Sequence, residues 1–433
     1  MTTSKKILAD TLVASALVMQ GAVADAQSGP HVDASSDESV RPFQFHASQA
    51  DLDDLRRRIL ATKFPEKETV SDKSQGVELA TVRALAKYWA NNYDWRRVEE
   101  KLNSYPNFVT NIDGLDIHFI HVRSKHKNAL PVIITHGWPG SVVEQLKIID
   151  PLTNPTAYGG KAEDAFDVVI PSIPGYGFSG RPATTGWDPP HIARAWVTLM
   201  KRLGYTKFVA QGGDWGAIIT EVMGAQAPPE LLAIHSNMAG VVPAEINKAF
   251  FTGSPLPSDL SDDERRACER LDFVYKKGVG YAYQMGLRPQ SLYGIADSPI
   301  GLAGYLLDHD AASYAHISDL FVNGKSYGAI TRDDILDNIT LTWLTNTGVS
   351  SGRLYWEGLQ FNGNDFFGIK GVKVPIAVSV FREELYEAPK SWAEKAFPKL
   401  IYYNKHNEGG HFAAWEQPDQ LVKDMRAGFK SLR

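Results

Sequence analysis

The sequence predicts an α/β fold with a mostly parallel central sheet, a helical insertion and an N-terminal arm. From residue 129 onward, short and continuously apolar runs alternate with helical patterns, as expected of parallel strands that are buried on both faces. One run breaks into a helix through the turn Gly-Gly-Asp-Trp-Gly at 212–216. Residues about 241–345 lack the alternation and have a mostly helical pattern, so we expect them to form a cap above the strand ends.

The first 28 residues have the pattern of a signal peptide. Lys5 and Lys6 precede an apolar run at 12–19, and small residues follow at 22–26. We therefore expect export to a secreted or periplasmic location, with a membrane-anchored and a cytoplasmic protein as the alternatives. The apolar run is well short of the roughly 20 residues that cross a membrane, so membrane association is not expected. Residues 29–40 are polar and are expected to form a flexible linker.

An N-terminal region is expected over residues 41–128, packed on the main domain. Ser48 can cap a first helix, because a carboxylate three residues later occupies the capping-box position. A second helix, rich in aromatic residues, is expected over 82–95. Residues 108–122 carry two β-type runs around Asp113-Gly114, which predicts a hairpin.

The main domain is expected over residues 129–433, and its apolar runs predict six strands. These strands are 131–135, 167–170, 208–211, 231–234, 374–380 and 400–403. The cap separates the fourth strand from the fifth. Apolar residues at helical spacing over 421–432 predict an amphipathic closing helix.

The composition excludes several partners and cofactors. The formal net charge is −5, the pI is about 6.2 and no basic run occurs, so nucleic acid is not expected as a partner. Cys268 is the one cysteine, which excludes an internal disulfide. The sequence contains neither a common metal-ligand spacing nor a GxGxxG motif, so no metal and no dinucleotide cofactor is expected. The sequence leaves open whether the chain forms a homo-oligomer.

The turn after the third predicted strand carries an acid where hydrolases carry a nucleophile. In the Gly-x-Ser-x-Gly elbow, a sharp strand-to-helix turn lifts the nucleophile clear of the sheet, and small neighbours make room for it. Asp214 has the central position here, which predicts an α/β-hydrolase fold with Asp214 as nucleophile. The alternative is an ordinary turn in which Asp214 caps the following helix.

A carboxylate nucleophile limits the kinds of reaction that the site can catalyse. A serine that attacked a saturated carbon would form an ether that water could not cleave, whereas an aspartate forms an ester that water can hydrolyse through an oxyanion. An aspartate is also ionised at neutral pH, since its reference pKa is about 3.9. The elbow therefore indicates displacement at a saturated carbon, in an epoxide or an alkyl halide.

Two loops supply the next predicted groups. The turn His-Gly-Trp-Pro-Gly-Ser at 136–141 follows the first predicted strand of the main domain. Because Pro139 has no N–H, Trp138 is the expected oxyanion donor of this turn. The second donor is expected to be the N–H of Trp215, the residue after Asp214. His136 is expected to have a structural role. His411 follows the last strand and is expected to be the general base for water.

Spacing leaves alternatives for the orienting acid and for the proton donor. The acid should follow the penultimate strand or accompany His411, and the candidates are Glu383, Glu384 and Glu408. Ring opening leaves an alkoxide that needs a proton, and tyrosine suits this task because it is neutral at pH 7. Among the 17 tyrosines the candidates are Tyr281 and Tyr355, with Tyr275 and Tyr283 in competition.

In their order along the chain, these motifs resemble the microsomal-type epoxide hydrolases over about residues 40–433. The matching motifs are HGWPGS, GGDWG, Gly-Tyr-Ala-Tyr at Tyr281, Arg-Leu-Tyr-Trp-Glu at Tyr355, Phe-Arg-Glu-Glu ending at Glu384, and Glu-Gly-Gly-His ending at His411. The resemblance implies Asp214 as nucleophile, Glu384 orienting His411 as base, and Tyr281 with Tyr355 as the donor pair. It also implies that an epoxide and water give a vicinal diol without a cofactor. Mammalian members carry an N-terminal membrane anchor, and this chain departs from them there.

Two other functions explain parts of the pattern. A haloalkane dehalogenase shares the aspartate elbow, but it needs N–H donors for the halide rather than a tyrosine pair. A non-catalytic ligand-binding protein on a hydrolase scaffold would lack some member of the set, and none is missing. Aromatic candidates to line the pocket, with core packing as the alternative, are Phe250, Phe251, Trp343 and Phe361.

Overall fold

The computed structural model describes residues 37–362 and 365–433. Its strands are β1 Arg41–Pro42, β2 Asn107–Ile112, β3 Leu115–Val122, β4 Leu130–Thr135, β5 Phe166–Pro171, β6 Phe208–Gly212, β7 Leu231–Ser236, β8 Ile376–Val380 and β9 Leu400–Lys405. They form one sheet with the order β1-β2-β3-β5-β4-β6-β7-β8-β9. In this order the first three pairs, β1-β2, β2-β3 and β3-β5, are antiparallel, and the remaining pairs are parallel. The predicted α/β fold is confirmed.

Helices cover both faces of the sheet and one end of it. They are α1 Gln49–Leu60, α2 Leu79–Asn91, α3 Trp95–Ser104, α4 Leu146–Thr153, α5 Pro189–Arg202, α6 Trp215–Gln226, α7 Ala244–Thr252, α8 Asp262–Phe273, α9 Gly280–Leu287, α10 Tyr293–Asp297, α11 Pro299–Leu307, α12 Ala311–Asn323, α13 Arg332–Leu344, α14 Gly348–Asn362, α15 Lys390–Ala396, α16 Ala413–Glu416 and α17 Pro418–Gly428. Across these described ranges, none is both long and apolar enough to cross a lipid bilayer.

The helical insertion between β7 and β8 is longer than the sequence predicts. It comprises α7 to α14, so the predicted end near residue 345 is too early by one helix. A turn at Asn346, whose φ of 48° is in the left-handed region, ends α13. The helix α14 follows this turn at once.

The N-terminal region confirms the first helix and the hairpin and corrects the second helix. Ser48 accepts a hydrogen bond from the N–H of Asp51 and caps α1. The predicted helix over 82–95 is wrong at its C-terminal end, because α2 stops at Asn91 and the Asp94 side chain caps a separate helix, α3. β2 and β3 pair antiparallel around Asp113-Gly114, as predicted.

The N-terminal boundary also differs from the prediction. The predicted signal peptide over 1–28 and residues 29–36 of the predicted linker lie outside the described residues, so both stay predictions. Residues 37–40, the end of that linker, are held on the fold. The Glu38 carboxylate lies 2.9 Å from the Arg202 guanidinium, and its backbone carbonyl accepts a hydrogen bond from Thr110.

The core explains why the central runs are uniformly apolar. β6 and β8 are buried along their whole length, and α6 is buried on nearly every side. On α17, Leu421 and Met425 are buried, and Phe429 packs in the core directly after the helix ends. The carboxyl ends of the parallel strands meet at one edge of the sheet, so the loops after β4, β6, β8 and β9 converge there.

The elbow requires glycine for steric reasons, which gives a first test. A Cβ on Gly216 would stand 1.9 Å from the Thr135 carbonyl oxygen, which is backbone and cannot move aside. We expect Gly216→Ala to lower the free energy of unfolding by about 3 kcal/mol or more, measured by urea denaturation. Gly294→Ala is the matched control, because it makes the same change in a helix with no atom within 4 Å. The control should change stability by less than about 1 kcal/mol, and equal effects at both positions would contradict the steric argument.

Candidate active site

Asp214 is held in a strained backbone conformation between β6 and α6. Its φ of 49° and ψ of −128° are costly for a residue with a side chain, by roughly 1–3 kcal/mol. The carboxylate makes no capping hydrogen bond to α6, so the alternative role as a helix cap is not what its side chain does. Instead Oδ1 accepts a hydrogen bond of 2.7 Å from the N–H of Trp138. The bend therefore presents the carboxylate to the space above the sheet edge.

The loop after β9 places His411 beside Asp214, and the loop after β8 places Glu384 behind His411. Nε2 of His411 lies 3.5 Å from Oδ2 of Asp214, and Nδ1 lies 2.6 Å from Oε1 of Glu384. Glu383 and Gly410 form a parallel β-bridge between the two loops. Since the bridge fixes their register, the next residues, Glu384 and His411, come to lie opposite each other.

The geometry separates the three candidate acids. Glu383 contacts another histidine, with Oε2 2.8 Å from Nε2 of His316. Glu408 is exposed on the loop surface. Glu384 is buried and is the acid that contacts His411.

Charge pairing inside the buried site favours an ionised aspartate and a protonated histidine. Burial opposes ionisation of Asp214, but the neighbouring imidazoles of His309 and His411 outweigh it and hold the pKa of Asp214 well below its usual value. Burial likewise opposes protonation of His411, yet the charges of Glu384 and Asp214 raise the pKa of His411 well above 6.5. The free site therefore holds an ion pair between the Asp214 carboxylate and the His411 imidazolium.

The loop after β4 supplies the predicted oxyanion donors and is held in place by His136. The N–H of Trp138 points at Asp214, as its hydrogen bond shows, and Trp215 is the first residue of α6, where backbone N–H groups have no helical partner. Nε2 of His136 accepts a hydrogen bond from the N–H of Ile173, which leaves Nδ1 to donate to the Gly137 carbonyl. Burial lowers the pKa of His136 to about 4, so the ring is neutral and braces this loop.

A cavity of about 440 Å³ opens above Asp214 and is lined by both predicted donor tyrosines. The Tyr281 ring stacks on Trp138 with centroids 4.8 Å apart, and the Tyr355 ring packs edge-on against Trp215 at 4.9 Å. The Tyr355 hydroxyl is buried and has no hydrogen-bond partner in the described ranges. Burial raises the pKa of both tyrosines well above 10, so both hydroxyls carry a proton that they can donate.

The two competing tyrosines also line this cavity. Tyr275 donates a hydrogen bond of 3.3 Å to the Asn247 side chain, and Tyr283 is 45% exposed. Phe251 and Phe361 line the cavity. The other two aromatic candidates have packing roles, since Phe250 contacts the Tyr275 ring and Trp343 lies beneath the Arg58 guanidinium.

A second histidine, which the sequence motifs do not single out, faces Asp214. His309 lies between α11 and α12 in the cap, with Nε2 4.0 Å from Oδ2 of Asp214 and Nδ1 3.2 Å from Oδ2 of Asp310. Its ring centroid is 4.2 Å from that of His411. The signal in the sequence is the tripeptide Asp-His-Asp at 308–310, a histidine between two acids in an otherwise apolar part of the cap. Nothing in that tripeptide shows that the fold brings it to the elbow.

The sheet order and the positions of the loops define an α/β hydrolase. The elbow residue, the acid loop and the histidine loop follow one another along the chain in the order characteristic of this fold. Comparison with known proteins agrees. A family described as "alpha/beta hydrolase fold" matches residues 131–273, and a family described as "Epoxide hydrolase N terminus" matches residues 40–145.

Individual relatives show to which family of α/β hydrolases the chain belongs. A putative epoxide hydrolase of Stigmatella aurantiaca is 48% identical, over 91% of this chain and 86% of the relative. Epoxide hydrolase 1 of Sus scrofa is 36% identical, over 91% of this chain and 89% of that protein. The crystal structure of juvenile hormone epoxide hydrolase from Bombyx mori superposes with a TM-score of 0.78 at 29% identity, covering 92% of this chain and 95% of the other. The chain belongs to the epoxide hydrolase family.

Proposed function

We propose that this enzyme converts epoxides into vicinal diols through a covalent ester on Asp214, with water as the second substrate and no cofactor. The observation that carries the proposal is an ionised carboxylate on the elbow, facing the same cavity as two protonated tyrosines. The family membership supports the reaction type. A panel of aryl, alkyl and trans-disubstituted epoxides, scored for diol formation, tests the activity directly, and no diol from any of them would overturn it.

In the first half-reaction, Asp214 attacks a ring carbon of the epoxide. The carbon–oxygen bond of the ring breaks, and the ring oxygen takes a proton from Tyr281 or Tyr355. His411 then gives its proton to the tyrosinate, which becomes a neutral tyrosine again. Formation of the ester removes the charge of Asp214, which is one of the causes that raise the pKa of His411. The imidazole is thereby left neutral and ready to act as a base.

In the second half-reaction, neutral His411 takes a proton from water as the hydroxide attacks Cγ of Asp214. Glu384 holds the ring and stabilises the imidazolium through its contact with Nδ1. The oxyanion lies against the N–H groups of Trp138 and Trp215, and the first of these already donates to Oδ1. Collapse of the tetrahedral intermediate releases the diol, whose oxygen takes the proton from His411. The carboxylic acid formed on Asp214 then passes its proton to His411, which restores the Asp214–His411 ion pair.

The tyrosine pair separates this reaction from that of a haloalkane dehalogenase. We expect Tyr281→Phe combined with Tyr355→Phe to lower the rate of epoxide turnover by about 10²–10⁴, because the ring oxygen loses its proton donors. The rate is measured as diol formation at saturating substrate. Tyr283→Phe is the control, since Tyr283 lines the same cavity but is half exposed, and it should keep turnover near that of the unaltered chain. Undiminished turnover in the double variant, together with chloride release from haloalkanes, would favour the dehalogenase.

A further inference from the structure

We propose that Asp214, His309 and His411 form a binding site for one transition-metal ion such as Zn²⁺, and that the bound ion blocks hydrolysis. This site goes beyond the proposed function, which requires no metal. The three side chains come from the elbow, the cap and the loop after β9. Among the described residues, no other group of three or more histidine, cysteine or carboxylate side chains has its ligand atoms close enough to hold one metal ion.

The distances between the ligand atoms are close to those of a tetrahedral site. Zinc takes nitrogen and carboxylate oxygen at about 2.0–2.2 Å, which puts neighbouring ligand atoms about 3.4 Å apart. Here Oδ2 of Asp214 lies 3.5 Å from Nε2 of His411 and 4.0 Å from Nε2 of His309, and all three atoms lie within 4.8 Å of one another. Shifts of a few tenths of an ångström to an ångström would close them around one ion.

Nδ1 of each histidine contacts a carboxylate, as is usual for histidine ligands in metal sites. Nδ1 of His411 contacts Glu384 and Nδ1 of His309 contacts Asp310. A carboxylate behind each imidazole fixes the tautomer and turns Nε2 towards the metal, and such partners strengthen binding. Two carboxylate–histidine pairs thus converge on one carboxylate.

An independent observation is the unsatisfied nitrogen of His309. Its Nε2 is buried, the side chain is 2% exposed, and the atom has no hydrogen-bond partner within the described part of the chain. An orphan nitrogen of this kind carries a desolvation cost that a metal ion would relieve. Imidazole and carboxylate together suit Zn²⁺, Cu²⁺ and Ni²⁺.

The surroundings leave room for an ion to enter and for a fourth ligand. Asp214 lines the 440 Å³ cavity, so a water molecule can complete the tetrahedron from that side. Binding has to displace the proton from His411, which works against affinity. The consequence is inhibition, because the ion occupies the lone pairs of the nucleophile and of the base together.

The experiment uses the purified full chain after treatment with a chelator. Zn²⁺ alone is titrated by calorimetry, and diol formation is followed in the same buffer with and without Zn²⁺. We expect one tightly bound ion per chain, inhibition at the same Zn²⁺ concentration, and full recovery with EDTA. Diol formation by the metal-free enzyme tests the proposed function separately. Failure to bind one ion with matching inhibition overturns the metal site and leaves the hydrolase intact.

Variants then locate the ion. His309→Asn should weaken Zn²⁺ binding and inhibition by at least about tenfold, and Asp310→Asn, which keeps the ligand and removes only its carboxylate partner, should weaken them by roughly tenfold or more. His46→Gln is the matched control, because His46 also lies beside a carboxylate, 2.9 Å from Glu99, but its side chain is 75% exposed. The control should bind Zn²⁺ as the unaltered chain does. Equal Zn²⁺ affinity in the unaltered chain and both site variants overturns the proposal.

Discussion

Asp214→Asn is expected to lower epoxide turnover by a factor on the order of 10⁴ or more, comparable to removal of the nucleophile in other covalent hydrolases. The amide has nearly the shape of the carboxylate and can still accept the hydrogen bond from Trp138. It is uncharged, however, and is too weak a nucleophile to open an epoxide and form the ester. Diol formation measures the loss, and circular dichroism shows that the variant is folded.

Asp150→Asn is the control for this change. Asp150 makes a surface pair with Lys101 at 3.6 Å and its side chain is 48% exposed, so the same chemical change there should leave turnover nearly untouched. Turnover above a few per cent in Asp214→Asn, with mass spectrometry showing that position 214 is still asparagine, would contradict the role of Asp214.

The second large effect is expected for His411→Gln, which should stop the cycle half-way. Asp214 can still be alkylated, because its attack on the epoxide needs no base. Hydrolysis of the ester should slow by about 10²–10⁴ without the proton acceptor. The enzyme is mixed with excess epoxide, digested and measured by mass spectrometry. We expect the peptide containing Asp214 to be heavier by the mass of the epoxide.

His46→Gln again serves as the control, since it removes an exposed histidine far from the elbow in the chain. It should show full turnover and no accumulated adduct. An unmodified Asp214 peptide in His411→Gln, while the unaltered chain is active, would mean that no ester forms.

Most of the fold could be predicted because its signals are local. The buried parallel strands are continuous apolar runs, and the elbow is a contiguous motif whose glycines have a steric cause. Two of the differences from prediction also have local causes. The helix over 82–95 is divided because Asp94 caps a new helix, which a pattern of aromatic residues does not reveal. The helical insertion continues past residue 345 because α14 follows the turn at Asn346, and the missing strand pattern alone does not show where a helical segment ends.

The site could be predicted only where it lies on motifs. Asp214 lies on the turn after β6 and His411 on the loop after β9, so chain order is sufficient to predict them. Spacing could not separate Glu383 from Glu384, because the choice depends on the β-bridge between two loops that are distant in sequence. His309 could not be predicted at all, since its contact with Asp214 depends on how the cap docks over the sheet.

The covalent ester is the central claim, and one turnover in ¹⁸O-labelled water tests it most directly. Enzyme in excess over epoxide is allowed to react once, and both products of the cycle are measured by mass spectrometry. Water attacks Cγ of Asp214 in this mechanism, so the first diol should contain no label from the solvent and the label should be found in the Asp214 peptide. A first diol that already carries ¹⁸O would show direct attack of water on the epoxide and would contradict the mechanism.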